Sequence, residues 1–388
     1  MKKILIVIDN LNTGGVATSL YNYLVAMSDK ANYDLLVFDE DSIKLNEIPT
    51  NVNVLTTQRA LHMLGKTNRE MQKESKILAC IRIILQIVAK YINGFFARKM
   101  LMPFIKPIGE YDLAIAYSQD DAWKNWSKGC VDFVLKKTNA KKKAVIVHCD
   151  YKMFGGYDAK QEVQYKLLDN VICVSESCRK SFCECFPNLS EKTIVCENFI
   201  NTKKILRMSK QAIQYPEKKI NFVSISRISE EKGLFRIVTI LGKLNKKGLT
   251  DFTWTIVGDG PEYDSLKKEI IKNDLQKKIV MVGQKENPYI YLKNADALLV
   301  PSFNEAAPMV YGESAVLGVP IITTETCSAI EMVEKRNLGF VIPNNSKGIE
   351  VFLETILSGK TKLVRKLNVT DINENALVQA NKLINFDN

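Results

Sequence analysis

The 388-residue sequence has no repeated Cys-x-x-Cys pairs, and its nine cysteines are odd in number. A disulfide framework and a tetrahedral zinc knuckle are therefore not expected. Cys178, Cys183 and Cys185 lie close together, but their spacing fits no knuckle and they read as small buried hydrophobes. Also missing is a run of about 20 apolar residues, the length a transmembrane helix needs. The longest apolar stretch, 77–89, is interrupted by Arg82 and Gln86. Near Met1 the apolar run 4–8 ends at Asp9 and Asn10 without a small-residue cleavage site, so it reads as a first strand rather than a signal peptide. A cytoplasmic protein without a spanning segment is expected. Short internal repeats, low-complexity tracts and the G-x-G-x-x-G dinucleotide fingerprint are absent as well.

What remains is ordinary globular material. Hydrophobic residues make up 46% and charged residues 25%, which excludes collagen-like, coiled-coil and disordered chains. At roughly 150 residues per domain, the length suggests two domains. The formal charge of +11 is unevenly spread, because residues 59–109 hold ten basic side chains against two acidic ones, a net of +8. Such a block suits nucleic acid, an anionic membrane or an anionic substrate. It lacks the stacking aromatics and motifs that would single out nucleic acid.

Short β-branched runs at 4–8, 35–38, 52–55, 113–117, 144–148 and 170–174 alternate with amphipathic segments of helical length. Runs so apolar suit parallel strands covered on both faces. The same pattern restarts at 220–224 and continues through 252–257, 279–282, 297–300 and 320–323. The expected fold is α/β, with two Rossmann-like doubly wound parallel sheets facing across a cleft. An N-terminal domain is expected over 1–200, a polar linker over 201–217 and a C-terminal domain over 218–370. A last helix, 371–388, would pack back toward the N-terminal domain.

Three segments carry the chemistry. Gly14-Gly15, between the first strand and a helix, lets backbone N–H groups approach anionic oxygens. Arg227 and Lys232, five residues apart just after a strand, suit a diphosphate held by a fixed guanidinium and a flexible ammonium. In the third, Pro308 fits the first turn of a helix, with Glu305 in the loop before it and Glu313 in its second turn. The N–H groups near Pro308, Met309 and Val310 can then face an anion, while the two carboxylates accept hydrogen bonds from ligand hydroxyls. Carboxylates beside phosphate-binding groups make sense for a ligand that also carries a sugar.

Taken in order, Gly14-Gly15, Arg227 with Lys232-Gly233, Gly258-Asp259-Gly260-Pro261 and Glu305-x7-Glu313 with Gly318 and Pro320 resemble a family-4 retaining glycosyltransferase of GT-B architecture. The resemblance covers nearly the whole chain and implies that 1–200 is the acceptor side and 218–370 the nucleotide-sugar domain. It implies that Arg227 and Lys232 neutralise the diphosphate of a nucleotide sugar, with UDP favoured. Glu305 would contact the donor hexose, Glu313 the ribose hydroxyls and the 283–288 stretch the base. Gly14-Gly15 and the strand-end His148 would approach from the other domain, His148 near the transferred sugar. The sequence departs from the family in having Ala306-Ala307 after the first glutamate, where Gly-Phe is common.

The resemblance further implies sugar transfer with retention, without metal or other cofactor, to a glycan or polyprenyl-linked acceptor in surface polysaccharide synthesis. The departing phosphate would take the acceptor's proton. Residues 76–106 mix a broad apolar face with cations as an interfacial helix does, which suggests peripheral attachment at the inner membrane face through Arg82, Lys90, Arg98 and Lys99. The alternatives are another GT-B enzyme, such as a sugar-nucleotide 2-epimerase, and a non-enzymatic binder of nucleotide sugar or nucleic acid. Nucleic acid is not the expected partner.

Overall fold

The computed structural model describes residues 1–120, 126, 128–155, 157–211, 213–217, 219–364 and 372–385. The chain divides into two compact units, Met1–Phe199 with Asn373–Asn388, and Ile200–Ile372.

In the first unit β1 (Lys3–Ile8), β2 (Asn32–Val37), β3 (Asn53–Val54), β4 (Ile108–Ala116), β5 (Thr138–Val147), β6 (Asn170–Cys173) and β7 (Thr193–Val195) form one sheet, in the order β3-β2-β1-β4-β5-β6-β7. Its strand pairs are parallel. Helix α1 (Gly15–Met27) follows β1. Between β3 and β4 come α2 (Arg59–Gly65), α3 (Asn68–Glu74), α4 (Lys76–Tyr91) and α5 (Gly94–Leu101). Thr67 opens α3 with a reciprocal capping box to Glu70, and the Asn93 side chain accepts from the Phe96 N–H to start α5. Helices α6 (Cys130–Lys137), α7 (Tyr151–Phe154), α8 (Ala159–Lys166) and α9 (Glu176–Cys185) cover the later strands.

The second unit begins with α10 (Thr202–Met208) and repeats the pattern with β8 (Ile220–Ile225), α11 (Leu234–Lys246), β9 (Phe252–Val257), α12 (Tyr263–Lys272), β10 (Ile279–Gly283), α13 (Tyr289–Leu292), β11 (Ala297–Val300), α14 (Met309–Val316), β12 (Ile321–Thr324), β13 (Gly339–Ile342) and α15 (Ser346–Leu357). Its parallel strands run β10-β9-β8-β11-β12-β13. Trp254, fully buried, donates its indole N–H to Ser224 Oγ at 3.0 Å, and Ser224 donates to the Leu299 carbonyl at 2.5 Å. That relay satisfies every polar atom it uses and ties β9, β8 and β11 together.

The last helix, α16 (Glu374–Ile384), belongs to the first unit, where Gln379 accepts the Glu197 N–H at 2.8 Å. The stretch 201–217 differs from the expected linker. Its first half is α10, capped by Asn201 and anchored by buried Ile205, and it is part of the second unit. Its polar composition belongs to the exposed face of that helix. Residues 212, 218 and 365–371, within or beside expected boundaries, lie outside the described residues.

In each sheet the chain leaves in one direction and returns on the other side of its starting strand, between β1 and β4 and between β8 and β11. The loops at the carboxyl ends of those strands are where open α/β sheets bind ligands. They carry Asp9 to Gly15 and Tyr117 in one unit, and Ser226 to Lys232 and Pro301 to Pro308 in the other.

Candidate functional site

The loop after β8 is fixed by backbone held against backbone. The Ile228 N–H donates to the Asp259 carbonyl at 2.9 Å, and the Ile228 carbonyl accepts from Glu262 at 3.1 Å. A Cβ on Gly258 would stand 1.9 Å from the Ser226 carbonyl oxygen, and one on Gly260 2.2 Å from that of Ile228. Only glycine permits that approach, so Gly258-Asp259-Gly260 clamps the segment presenting Arg227, whose side chain is exposed. A short 3-10 turn, Glu230–Lys232, then ends at Gly233 with φ 64°. A Cβ there would meet the Pro301 carbonyl oxygen at 2.1 Å.

This approach sets Lys232 against the loop after β11. Its Nζ lies 2.7 Å from Glu305 Oε1, and Ser302 donates to the same oxygen at 2.6 Å. Phe303 donates its N–H to the Glu231 carbonyl at 2.9 Å. The cation and the first carboxylate expected in the site thus occur together, both partly buried, on loops from neighbouring strands at the switch point.

Arg236, which sequence reasoning missed, holds this loop from beneath. From the first turn of α11 its Nε donates to the Pro301 carbonyl at 3.0 Å and its Nη2 to the Ser302 carbonyl at 3.0 Å, with a further short bond to Pro301. The guanidinium lies 4.1 Å from the Phe303 ring centre, and burial pushes its pKa down to about 10. The signal available in the sequence was a cation one turn into the helix after Gly233.

Helix α14 begins at Met309, with Pro308 as its N-cap at φ −67° and ψ 127° rather than in its first turn as expected. The first amides of such a helix have no carbonyl one turn earlier to bond, and those of Met309 and Val310 are in this position. Glu305 precedes the helix and Glu313 lies in its second turn. Glu313 is buried, and Tyr289 donates its hydroxyl to Oε1 at 3.1 Å. Burial is the larger influence and pushes its carboxyl up to about 7, opposed by Tyr289 and by Lys204. The two glutamates therefore sit in different surroundings, one ion-paired and one in a nearly dry pocket. The 283–288 stretch leads from β10 into α13; Gly283 accepts the Gly258 N–H at 3.0 Å, and Tyr289 follows directly.

In the other unit Gly14 is extended and α1 starts at Gly15 without a side-chain cap. A Cβ on Gly14 would meet nothing closer than Asn12 O at 3.9 Å, so local packing does not dictate glycine there. His148 follows β5. Its Nε2 lies 2.9 Å from the Tyr117 carbonyl, which can only accept, so Nε2 carries the hydrogen and Nδ1 is an acceptor. The ring packs 5.4 Å from that of Tyr117, whose hydroxyl pairs with Ser19 Oγ of α1 at 3.2 Å. Burial depresses the imidazole pKa to about 4, so it is neutral at pH 7.

The four residues expected at a membrane divide into two kinds. Lys90 and Lys99 are exposed. Arg98 is fully buried, its Nε 2.6 Å from Asp132 Oδ2 and its Nη2 3.6 Å from Asp120 Oδ2, and Arg82 is buried with its Nε donating to the Met63 carbonyl at 2.8 Å. Neither can reach a headgroup. The amphipathic pattern read α4 correctly as two-faced, but Arg82 lies on its inward face, paired to backbone and Asn68.

Two parallel α/β sheets, each with loops converging at its switch point, define the two-domain Rossmann-like GT-B class. Residues 207–367, which include Arg227, Lys232, Glu305 and Glu313, match the family model of glycosyl transferases group 1. The chain is similar to an uncharacterized glycosyltransferase of Methanocaldococcus jannaschii, 25% identical over 42% of this chain and 41% of that protein. It is also similar to the amylovoran biosynthesis glycosyltransferase AmsK of Erwinia amylovora, 27% identical over 45% and 44%. The chain thus spans about two fifths of the length of the curated relatives it matches. Among solved structures, Anabaena Alr3699/HepE in complex with UDP and glucose aligns with a TM-score of 0.63 at 17% identity, over 100% of this chain and 98% of that one. A mutant of S. aureus TarM, in complex with fondaparinux, α-GlcNAc-glycerol and UDP, aligns at 0.64 and 13%, over 99% and 100%. At these identities the structural likeness concerns the fold.

Proposed function

We propose that the protein is a retaining glycosyltransferase that moves a hexose from a nucleoside-diphosphate sugar, UDP-linked by preference, to a glycan or lipid-linked glycan in surface polysaccharide synthesis. The observation that carries this reading is the Lys232–Glu305 pair at 2.7 Å on apposed switch-point loops. A lysine ammonium has three donors, so a bond to Glu305 leaves two for phosphate oxygens. Each such charge-assisted bond contributes about 1.5–3 kcal/mol. In this reading Arg227 adds a second cation, and the first amides of α14, at Met309 and Val310 behind Pro308, add positive partial charge. Glu305, oriented by Ser302, accepts from a hexose hydroxyl, and Glu313 with Tyr289 receives the ribose.

Cleavage between the anomeric carbon and the diphosphate builds positive charge on the sugar and negative charge on the leaving phosphate. Lys232 and Arg227 stabilise the second of these as it develops. The leaving phosphate oxygen accepts the acceptor hydroxyl's proton on the same face, which retains the anomeric configuration. The scheme draws on side-chain cations for charge neutralisation and assigns no role to a metal. His148, neutral with Nδ1 as acceptor, and the Gly14-Gly15 turn serve the sugar and acceptor end. The Tyr289 hydroxyl and the Lys204 charge favour the ionised form of Glu313 against its burial. The protein would work at the cytoplasmic face of the membrane, where a polyprenyl-linked acceptor is presented.

Thermal shift with UDP-, GDP-, ADP- and CDP-sugars tests this, repeated with Lys232→Ala. Stabilisation by one nucleotide class, lost in the variant, is expected. No response to any donor would overturn the proposal, and donor hydrolysis or epimerisation without an acceptor would redirect it to another GT-B chemistry.

A further inference from the structure

Helix α4 carries apolar side chains on both its inward and its outward face, unlike an ordinary surface helix. Its inward stripe is Ala79, Arg82, Leu85 and Ala89, all buried. Its outward stripe, at the same three-and-four spacing, is Ile77, Ile81, Ile84, Ile87 and Tyr91. Ile77 is 74% exposed, Ile84 58% and Tyr91 77%. A surface helix normally puts its apolar residues inward and its polar ones outward. In the segment after α4, Phe96, Met100 and Phe104 are exposed as well. Scattered exposed apolar side chains need no explanation, but a stripe along one helix face marks an interaction surface.

The rim identifies the partner. Lys76, Lys90, Lys99 and Lys106 are exposed, and residues 76–106 contain no Asp or Glu. A second copy of this chain would bring the same cations to the contact and no carboxylate from this segment to meet them. An anionic bilayer supplies negative charge and an apolar interior together. No described helix is long and apolar enough to cross a membrane, so α4, at 16 residues, suits a position in the plane of the interface.

We propose that the outward face of α4, together with Phe96, Met100 and Phe104, inserts into an anionic lipid surface, with lysines rather than the buried Arg82 and Arg98 reaching the headgroups. This surface rests on its own exposed residues and goes beyond the donor-site reading, which can fail or hold separately.

The full chain is sedimented with vesicles of equal phosphatidylglycerol and phosphatidylcholine, and with phosphatidylcholine alone. Binding to the mixed vesicles that falls with salt is expected. Each Lys→Gln change among Lys76, Lys90, Lys99 and Lys106 should weaken it about fivefold. The triple variant Ile77→Ser, Ile84→Ser, Ile87→Ser should lose at least about tenfold while keeping the wild-type melting temperature, since these side chains are exposed. Tyr91→Trp should blue-shift its fluorescence with the mixed vesicles only. Equal sedimentation of wild type and the isoleucine triple overturns the proposal. So does a wild-type dimer in sedimentation velocity that the triple dissociates, without vesicle binding. The nucleotide thermal shift of these variants reports the donor site independently.

Discussion

Replacing Arg236 by Met removes the guanidinium that holds the Pro301 to Phe303 loop without greatly changing the aliphatic volume. The Ser302 carbonyl keeps a bond from Thr324 Oγ1 at 2.5 Å, so the loss concentrates on the Pro301 carbonyl, which has Arg236 as its donor through two nitrogens. Leaving one buried carbonyl unsatisfied costs about 1–3 kcal/mol. Losing the cation over the half-exposed Phe303 ring removes about 0.5–1 kcal/mol more. Together the second unit should be destabilised by about 1.5–4 kcal/mol. Urea unfolding followed by fluorescence of Trp254, the tryptophan of that unit, reads this as a lowered midpoint. Because the loop carries Ser302 and Glu305, nucleotide-sugar affinity should fall in the same variant. Arg236→Lys should recover only part of both losses, since an ammonium lacks the planar fork that spans two carbonyls. If Arg236→Met unfolds at the wild-type midpoint, the guanidinium does not hold the loop and the positioning argument is wrong.

The two units should respond to pH in opposite senses. Glu313 has a folded pKa raised to about 7, so the folded second unit holds more protons and loses stability as pH rises from about 4.5 to 7; Glu313→Gln should flatten that slope in urea titrations followed at Trp254. His148 has a folded pKa lowered to about 4, so the first unit loses stability as pH falls from about 6.5 to 4, and His148→Gln should remove that contribution in hydrogen exchange of β5. Arg98→Met leaves Asp120 and Asp132 buried without their shared cation and should destabilise the first unit by about 3–5 kcal/mol, seen as a lower thermal midpoint. Adding Asp132→Asn should recover part of that loss.

Strands with uninterrupted apolar runs were legible, because full burial on both faces leaves an unambiguous signal. Phe252–Val257 and Ala297–Val300 emerged with the bounds read from the sequence. The first halves of β4 and β5 were not, since Gly109-Glu110 sits at a register shift and Lys141-Lys142-Lys143 carries charges, so neither reads as an apolar run. Three-residue β7 and glycine-led β13 were missed because neither holds a long uninterrupted apolar run. Lys232 and Glu305 were both singled out in the sequence, but their contact depends on Gly233 and on strand order, which no local window contains. Arg82 and Arg98 show the converse limit. A pattern can say that a helix has two faces without saying which one the protein keeps, and a buried arginine looks identical in sequence to an exposed one.

The missing side chains at Gly233, Gly258 and Gly260 leave main chain touching main chain in the segments that carry Arg227, Lys232 and Glu305. On the proposed function, an arriving donor would therefore meet main chain that is already fixed. Little conformational freedom is left to surrender on association, so more of each new contact survives as net affinity. Any methyl group introduced at these points would blunt recognition by loosening the mould, even though it never touched the guest.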